Sequence, residues 1–498
     1  MKKIMTWLLC IPVLVMAQRR PQQQAENSFH EYEFWKKQPS LELVKQKIKE
    51  GNDPVKQNKA AFDALSYAIM TKNSTETIDY LLSLPGNDVN KSTHDNRSYL
   101  MWAGYAGDLQ TMKLLLSKGA DTKVVGSHGF NWYTFTLNAG HENTDIYELM
   151  VANGVDLKET NRNGANAVLL LAQNSKDGKI IDYFVNKGLN EKVLDANGNS
   201  LLFYAAYKGN IALLKKYIAK GFDYKRVNND GENLVLAASH GGRGGYNSKE
   251  VFEYLASLNL KMDQVNHKGQ TALHLLARGS KDKDLISFFI EHGVDVTKKD
   301  KEGNTAFLNA VSGNNSTLVK LLLPKVKDIN QQNDSGYTAL TLATQRGNLD
   351  LFHLLTKNGA DVNIIDKEGN NLFYHLFEGY NRRSAKNFPS FAKTLKKVGV
   401  SFTKASQNEP PLHIAIAKGD LKLIQTAFEL GANVHQKNAE GLTPLHLAAM
   451  KAKSPRLLQL LLKKGANKAN ETEFGETAYD LAKENEMLKK QNIEFLKP

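Results

Sequence analysis

Apolar and polar positions recur along this chain with a single period over more than four hundred residues. The clearest unit is Glu440-Gly441-Leu442-Thr443-Pro444-Leu445-His446-Leu447-Ala448-Ala449. Segments aligned on its glycine place anchors at Ala61, Asn96, Gly129, Gly164, Gly198, Gly231, Gly269, Gly303, Gly336, Gly369, Asn408, Gly441 and Gly475. The steps between them are 35, 33, 35, 34, 33, 38, 34, 33, 33, 39, 33 and 34 residues, which marks stacked repeats rather than independent domains. Two residues after the anchors stand Asp63, Ser98, Asn131, Asn166, Ser200, Asn233, Thr271, Thr305, Thr338, Asn371, Pro410, Thr443 and Thr477. Twelve of these thirteen carry a side-chain oxygen able to accept the free N–H groups of a first helical turn, so a helix is predicted to begin there in each repeat. The position two further on is always apolar or aromatic, from Leu65 to Tyr479, and three beyond that alanine recurs, from Ala68 to Ala482. The first is a core-facing helix position, and the small second residue lets neighbouring helices approach closely.

A second helix is predicted in each repeat from runs such as Leu349-Asp350-Leu351-Phe352-His353-Leu354-Leu355, with apolar residues at helical spacing. Its stop signal lies ten residues before the next anchor and is glycine at ten of thirteen places, among them Gly51, Gly221 and Gly465. Glycine there supplies the left-handed conformation of a C-terminal cap. Asn259 substitutes for it once, and Val326 and Val398 break the pattern, with Pro324 and Gly399 nearby as alternative helix breakers. Because the stop-to-anchor distance is constant, the 38- and 39-residue steps must carry their extra residues between the two helices of a pair, at about 241–248 and 379–390. Such loops are expected to be dispensable, since closure entropy grows only slowly with length. An earlier, degenerate pair is predicted at Phe29–Lys37 and Pro39–Glu50, and a polar last pair at Thr477–Lys483 and Glu484–Leu496; both read as end caps.

The Thr443-Pro444-Leu445-His446 run, approached at Thr271–His274 and Pro410–His413, resembles the signature of the ankyrin-repeat family, and the resemblance spans essentially all of residues 28–498. It implies an all-α ankyrin-repeat solenoid of about fourteen helix-turn-helix units joined by β-hairpin-like loops, with degenerate terminal caps. It also implies that His274, His413 and His446 hydrogen-bond hairpin backbone, and that hairpin tips and first helices together present one face to protein partners. Repeat 3 departs most from the family, with Phe130, Trp132, Tyr133 and Phe135 where smaller residues are usual.

Residues 1–17 read differently. Lys2 and Lys3 precede a thirteen-residue apolar stretch, Ile4 to Met16, and small residues end it at Ala17, the pattern of a cleaved signal peptide of bacterial style. Thirteen residues fall short of the roughly 20 that a spanning helix needs, although Arg19 and Arg20 beyond it leave an uncleaved anchor as the alternative. A mature chain beginning at Gln18 is expected, with 18–27 a flexible leader, a periplasmic or secreted location, and no membrane association after cleavage. Cleavage removes Cys10, the one cysteine, so the mature chain offers neither disulfide nor thiol nucleophile.

Composition adds little that is specific: 41% apolar and 23% charged residues suit a packed protein. The formal charge of +13 comes from lysines scattered along the chain, which reads as solvated surface rather than a nucleic-acid site. No histidine or carboxylate spacing suggests a metal, and His240-Gly241-Gly242-Arg243-Gly244-Gly245 lacks the Gly-Lys-Ser/Thr ending of a phosphate loop. No cofactor, metal or catalytic signature is found, so the chain is read as non-enzymatic, monomeric, and directed at a protein partner. A concave binding scaffold is the leading class; a periplasmic enzyme-protecting, chaperone-like or inhibitory factor, or a secreted effector acting on host proteins, is the alternative. Stacking accounts for the capping, apolar and alanine positions, whereas the residue after each anchor and the ninth after it are left free. Large aromatics stand at such positions in Tyr105, Phe130, Tyr207 and Tyr337, and Arg97, Arg278 and Arg346 share the face. Tyr105, Phe130 and Tyr207 are expected to form one recognition patch, against the alternative that the rings fold back onto neighbouring repeats.

Overall fold

The computed structural model describes residues 27–498 apart from Arg243 and Gln407. The expected signal peptide, and the leader save Asn27, lie outside the described residues. Among the described residues all regular structure is helical, in twenty-seven α-helices and four short 3-10 turns. The chain folds as two compact bodies, one comprising the amino-terminal cap and repeats 1–4 up to Asp195, the other repeats 5–13 from Ala196 onward.

The helices begin where the capping positions placed them: all thirteen residues two after the anchors are N-cap residues. Asp63, Asn131 and Thr443 accept from the third backbone N–H of their helices, satisfying donors that have no partner within a helix. First helices are apolar nearly all round, as Ala167–Ala172 shows, every residue of which is buried. Within each body most are packed against neighbouring first helices and against their own second helix, and the recurrent alanines, Ala68 through Ala482, have no exposed surface. Second helices bury one stripe only, as Leu351, Phe352 and Leu355 do in Leu349–Lys357. They end as expected at left-handed residues, from Gly51 (φ 93°) to Gly465 (φ 92°), with Asn259 at φ 55°.

The irregular stops resolve individually. Gly399 (φ 87°) takes the left-handed conformation one residue after Val398, and a 3-10 turn through Pro324 ends the other helix, leaving Val326 extended. Two expectations need correction. The last unit has a first helix, Ala478–Glu484, but no second α-helix, because its chain turns at 485–492 and ends in the 3-10 turn Glu494–Leu496. There Asn485 caps the preceding repeat by donating to the carbonyls of Ala449 and Ala452, both at 2.9 Å. The insertion of repeat 10 does lie between its helices but is not a loose loop. Ser384 is buried, and the Tyr380 ring packs on Phe388 with its hydroxyl donating to Asp420 at 2.9 Å.

Hairpin-like loops link the repeats. The residue three before the anchor donates its N–H to the carbonyl just after the anchor, as in Asn228 to Glu232 (2.9 Å) and Asn333 to Tyr337 (3.1 Å). The same residue is Asn or Asp in nine of thirteen repeats, and its Oδ1 accepts two N–H groups of its own turn. Tips are also stitched from one repeat to the next by backbone, as His267 N–H to Asp230 O (2.7 Å) and Lys301 N–H to Lys268 O (2.9 Å).

Candidate binding surface

The histidines of the Thr-x-Leu-His runs serve the hairpins. His274 accepts at Nδ1 from the Thr271 N–H (3.1 Å) and donates from Nε2 to the carbonyl of Asn304 in the next loop (3.1 Å). His446 does the same with Thr443 and Asn470. His413 reaches Leu442 O at 2.9 Å, but its Nδ1 is left without a partner because Pro410, in the capping place, has no N–H to give. Burial lowers the pKa of all three imidazoles, which keeps them neutral.

In the amino-terminal body the hairpin tips and first helices carry a run of rings. Tyr32 meets Tyr67 edge-on at 5.9 Å, and Tyr67 stacks on Phe62 at 5.1 Å. Phe62 in turn contacts His94 at 4.6 Å and Trp102 at 5.5 Å. Trp102 leads to Phe135, also at 5.5 Å, and Phe135 stacks in parallel against Tyr105 at 4.8 Å and lies 6.3 Å from Phe130. Tyr105 and Tyr32 remain 44% and 45% exposed, Phe62, Tyr67 and Phe130 are half-buried, and Trp102 and Phe135 form the buried floor. Tyr105 and Phe130 thus converge on one residue, Phe135, which the alternation of free and structural positions had not singled out. The signal was available, since Tyr67, Trp102 and Phe135 occupy the sixth place after three successive anchors.

Arg97 belongs to this run as a support. Its guanidinium lies over the Phe135 and Trp102 rings at 4.5 and 5.1 Å and pairs with Asp95 at 3.0 Å, so its charge is committed within the fold. The large side chains of repeat 3 fit because of Gly104 in the repeat before. A Cβ there would meet Thr136 Oγ1 at 2.2 Å and the Trp132 Nε1 at 2.8 Å.

Tyr207 lies in the other body, where its ring is 6.5 Å from Tyr204 and 5.8 Å from His240. His240 Nε2 is 2.9 Å from Glu232 Oε1. Burial raises the Glu232 carboxyl, but His240 and the Asn266 and Asn228 amides outweigh it and the net pKa is lowered. Tyr337 packs edge-on against the buried His375, 5.0 Å away, whose Nε2 is 3.2 Å from Asp366. Arg278 and Arg346 are exposed at the ends of their first helices, and Arg346 Nη2 approaches Ser312 Oγ at 3.5 Å. Among the described residues no three His, Cys, Asp or Glu side chains lie close enough together to hold a metal, and no helix is long and apolar enough to cross a membrane.

Helix pairs stacked through buried first helices and stitched at their hairpin tips define a repeat protein of the solenoid class, whose exposed face is laid out in rows. The chain belongs to the ankyrin-repeat family: the model described as ankyrin repeats in three copies matches residues 36–125, 202–300, 275–366 and 385–496. A putative ankyrin repeat protein of Rickettsia felis is 26% identical over 57% of this chain and 70% of its own length. One from Rickettsia bellii is 28% identical over 29% of this chain and 78% of its own. A palmitoyltransferase of Lachancea kluyveri is 28% identical over 33% of this chain, which spans only 23% of that enzyme. Among solved structures the human ASB11 ankyrin repeat domain covers 44% of this chain and 96% of its own, at 22% identity and a TM-score of 0.37.

Proposed function

We propose that this chain is an exported, non-enzymatic scaffold of bacterial origin that binds a protein partner outside the cytoplasm as a monomer. The observation that carries the reading is the ring surface of the amino-terminal body. Tyr105 and Phe130 lie partly open against the buried Phe135, and Tyr67 and Tyr32 continue the run through Phe62, which rests on Trp102; burying such rings is what makes interface hot spots strong. The hydroxyls of the three tyrosines suit them to a surface that must be wet when free and dry when bound. Export rests on the Lys2-Lys3 and Ile4–Met16 pattern.

The test is Tyr105→Ala with Phe130→Ala, measured by thermal melting and by cross-linked capture from the extracytoplasmic fraction of the native host. At about 2 kcal/mol per ring, capture should fall by more than tenfold while the melting temperature moves by only a few degrees. A lowered melting temperature with undiminished capture would show the rings to be packing and nothing more. The captured species also separates the narrower readings: an envelope enzyme fits a protective or inhibitory factor, and a host protein fits an effector.

A further inference from the structure

The charge of the chain is unevenly divided. Residues 27–195 hold 19 Lys and Arg against 21 Asp and Glu, whereas residues 196–498 hold 42 against 30, so the carboxy-terminal body alone is at +12. On that body a groove of about 970 Å³ crosses the helix-to-helix turns of repeats 8, 9 and 10. Glycines let its turns approach closely: a Cβ on Gly379 would strike the Gln345 carbonyl at 1.8 Å, and one on Gly347 the Ser384 Cβ at 2.7 Å. Arg346 and Arg383 line it, both exposed, and among the described residues neither has a carboxylate within 4 Å. Two carboxylates, Asp350 and Glu378, line the groove as well, with the amides of Asn314 and Asn348 between the turns.

We infer that this groove binds an extended acidic segment of the partner protein, with the guanidinium groups of Arg346 and Arg383 receiving its carboxylates. The inference rests on the scaffold reading and names the chemistry of the partner. Arginine's planar fork takes carboxylate through two parallel hydrogen bonds, and neither guanidinium has an ion pair to give up, Arg346 making one long contact to Ser312 Oγ at 3.5 Å. A nucleic-acid backbone offers phosphates and no N–H donor to the groove's own carboxylates. A peptide backbone presents an N–H at every residue, which Asp350 and Glu378 can accept. Spacing agrees: adjacent repeats stack about 10 Å apart and an extended chain advances about 3.3 Å per residue. Acidic residues three apart therefore come into register with successive turns.

Fluorescence anisotropy on the full chain tests this with a dye-labelled peptide of about twelve residues bearing glutamate at every third position. Expected are saturable binding and loss of at least tenfold in affinity in the R346E/R383E variant at unchanged melting temperature. A similar weakening is expected between about 50 and 300 mM salt, and none of the binding should be seen for the same peptide with lysine in place of glutamate. Equal affinity in the variant overturns the inference, as does tighter binding of a single-stranded oligothymidine that requires the same two arginines. The scaffold reading is judged separately, because capture that depends on Tyr105 and Phe130 survives a failure of the acidic peptide.

Discussion

Gly104 shows how one residue can carry a repeat that departs from its family. It sits in the first helix Tyr99–Ala106, where replacing glycine by alanine would ordinarily stabilise by up to about 1 kcal/mol through backbone entropy. Here the added methyl has no room, since Thr136 and the fully buried Trp132 already occupy the space. Overpacking of this kind costs about 1–3 kcal/mol, so Gly104→Ala should lower stability, and urea unfolding of the two proteins gives the sign directly. The tip residues teach a related lesson. Asn and Asp three before the anchors were visible as a column in the sequence, but their task, accepting two N–H groups of the same turn, follows from turn geometry that apolar periodicity does not report.

At the scale of elements, the two insertions are alike in lengthening their repeats between the paired helices but pack differently. In the first, Gly242 and Gly245 bond each other and are exposed, whereas Asn247 donates to the carbonyls of Ala206 (3.0 Å) and Ala238 (2.9 Å). Deleting Gly242–Gly245 should therefore shift stability by less than about 0.5 kcal/mol, as for surface changes elsewhere. Asn247→Ala leaves helix-end carbonyls without their donor and should cost about 1–3 kcal/mol. Thermal melts of both variants check the contrast, and a larger loss from the deletion would mean that the glycine turn is packed. The second insertion, holding Tyr380 and Ser384 against repeats 11 and 9, is expected to resist shortening. Loop entropy alone misjudged it because entropy says nothing of what a loop touches.

Across the molecule, buried histidines link stability to pH. His141, His274, His413 and His446 all have pKa values lowered chiefly by burial, so the folded chain binds fewer protons at these sites than the unfolded chain, whose imidazoles titrate near 6.5. Their stabilising contribution is complete above that value and is lost as pH falls through it. The melting temperature at about pH 5.5 should lie below that at about pH 7.5, and His274→Gln should reduce the difference. An equal or higher melting temperature in acid would show that these sites do not govern the linkage.

The sequence by itself determined the family, the repeat period, the first-helix start of all thirteen anchored repeats and nearly every second-helix stop, though not the start of the amino-terminal cap, whose α-helix begins at Tyr32 rather than Phe29. These depend on side chains acting on their own backbone within a turn or two: Asp63 or Thr443 caps its helix whatever surrounds it, and Gly51 or Gly465 turns left-handed for want of a Cβ. Only the tertiary structure decided which free positions belong together. Tyr105 and Phe130 meet through Phe135, Arg97 is spent on Asp95 and two rings, and Arg346 and Arg383 line a groove without a carboxylate partner among the described residues. Those outcomes depend on contacts between residues a whole repeat apart, where a single missing methyl, as at Gly104 or Gly379, sets how closely neighbours approach.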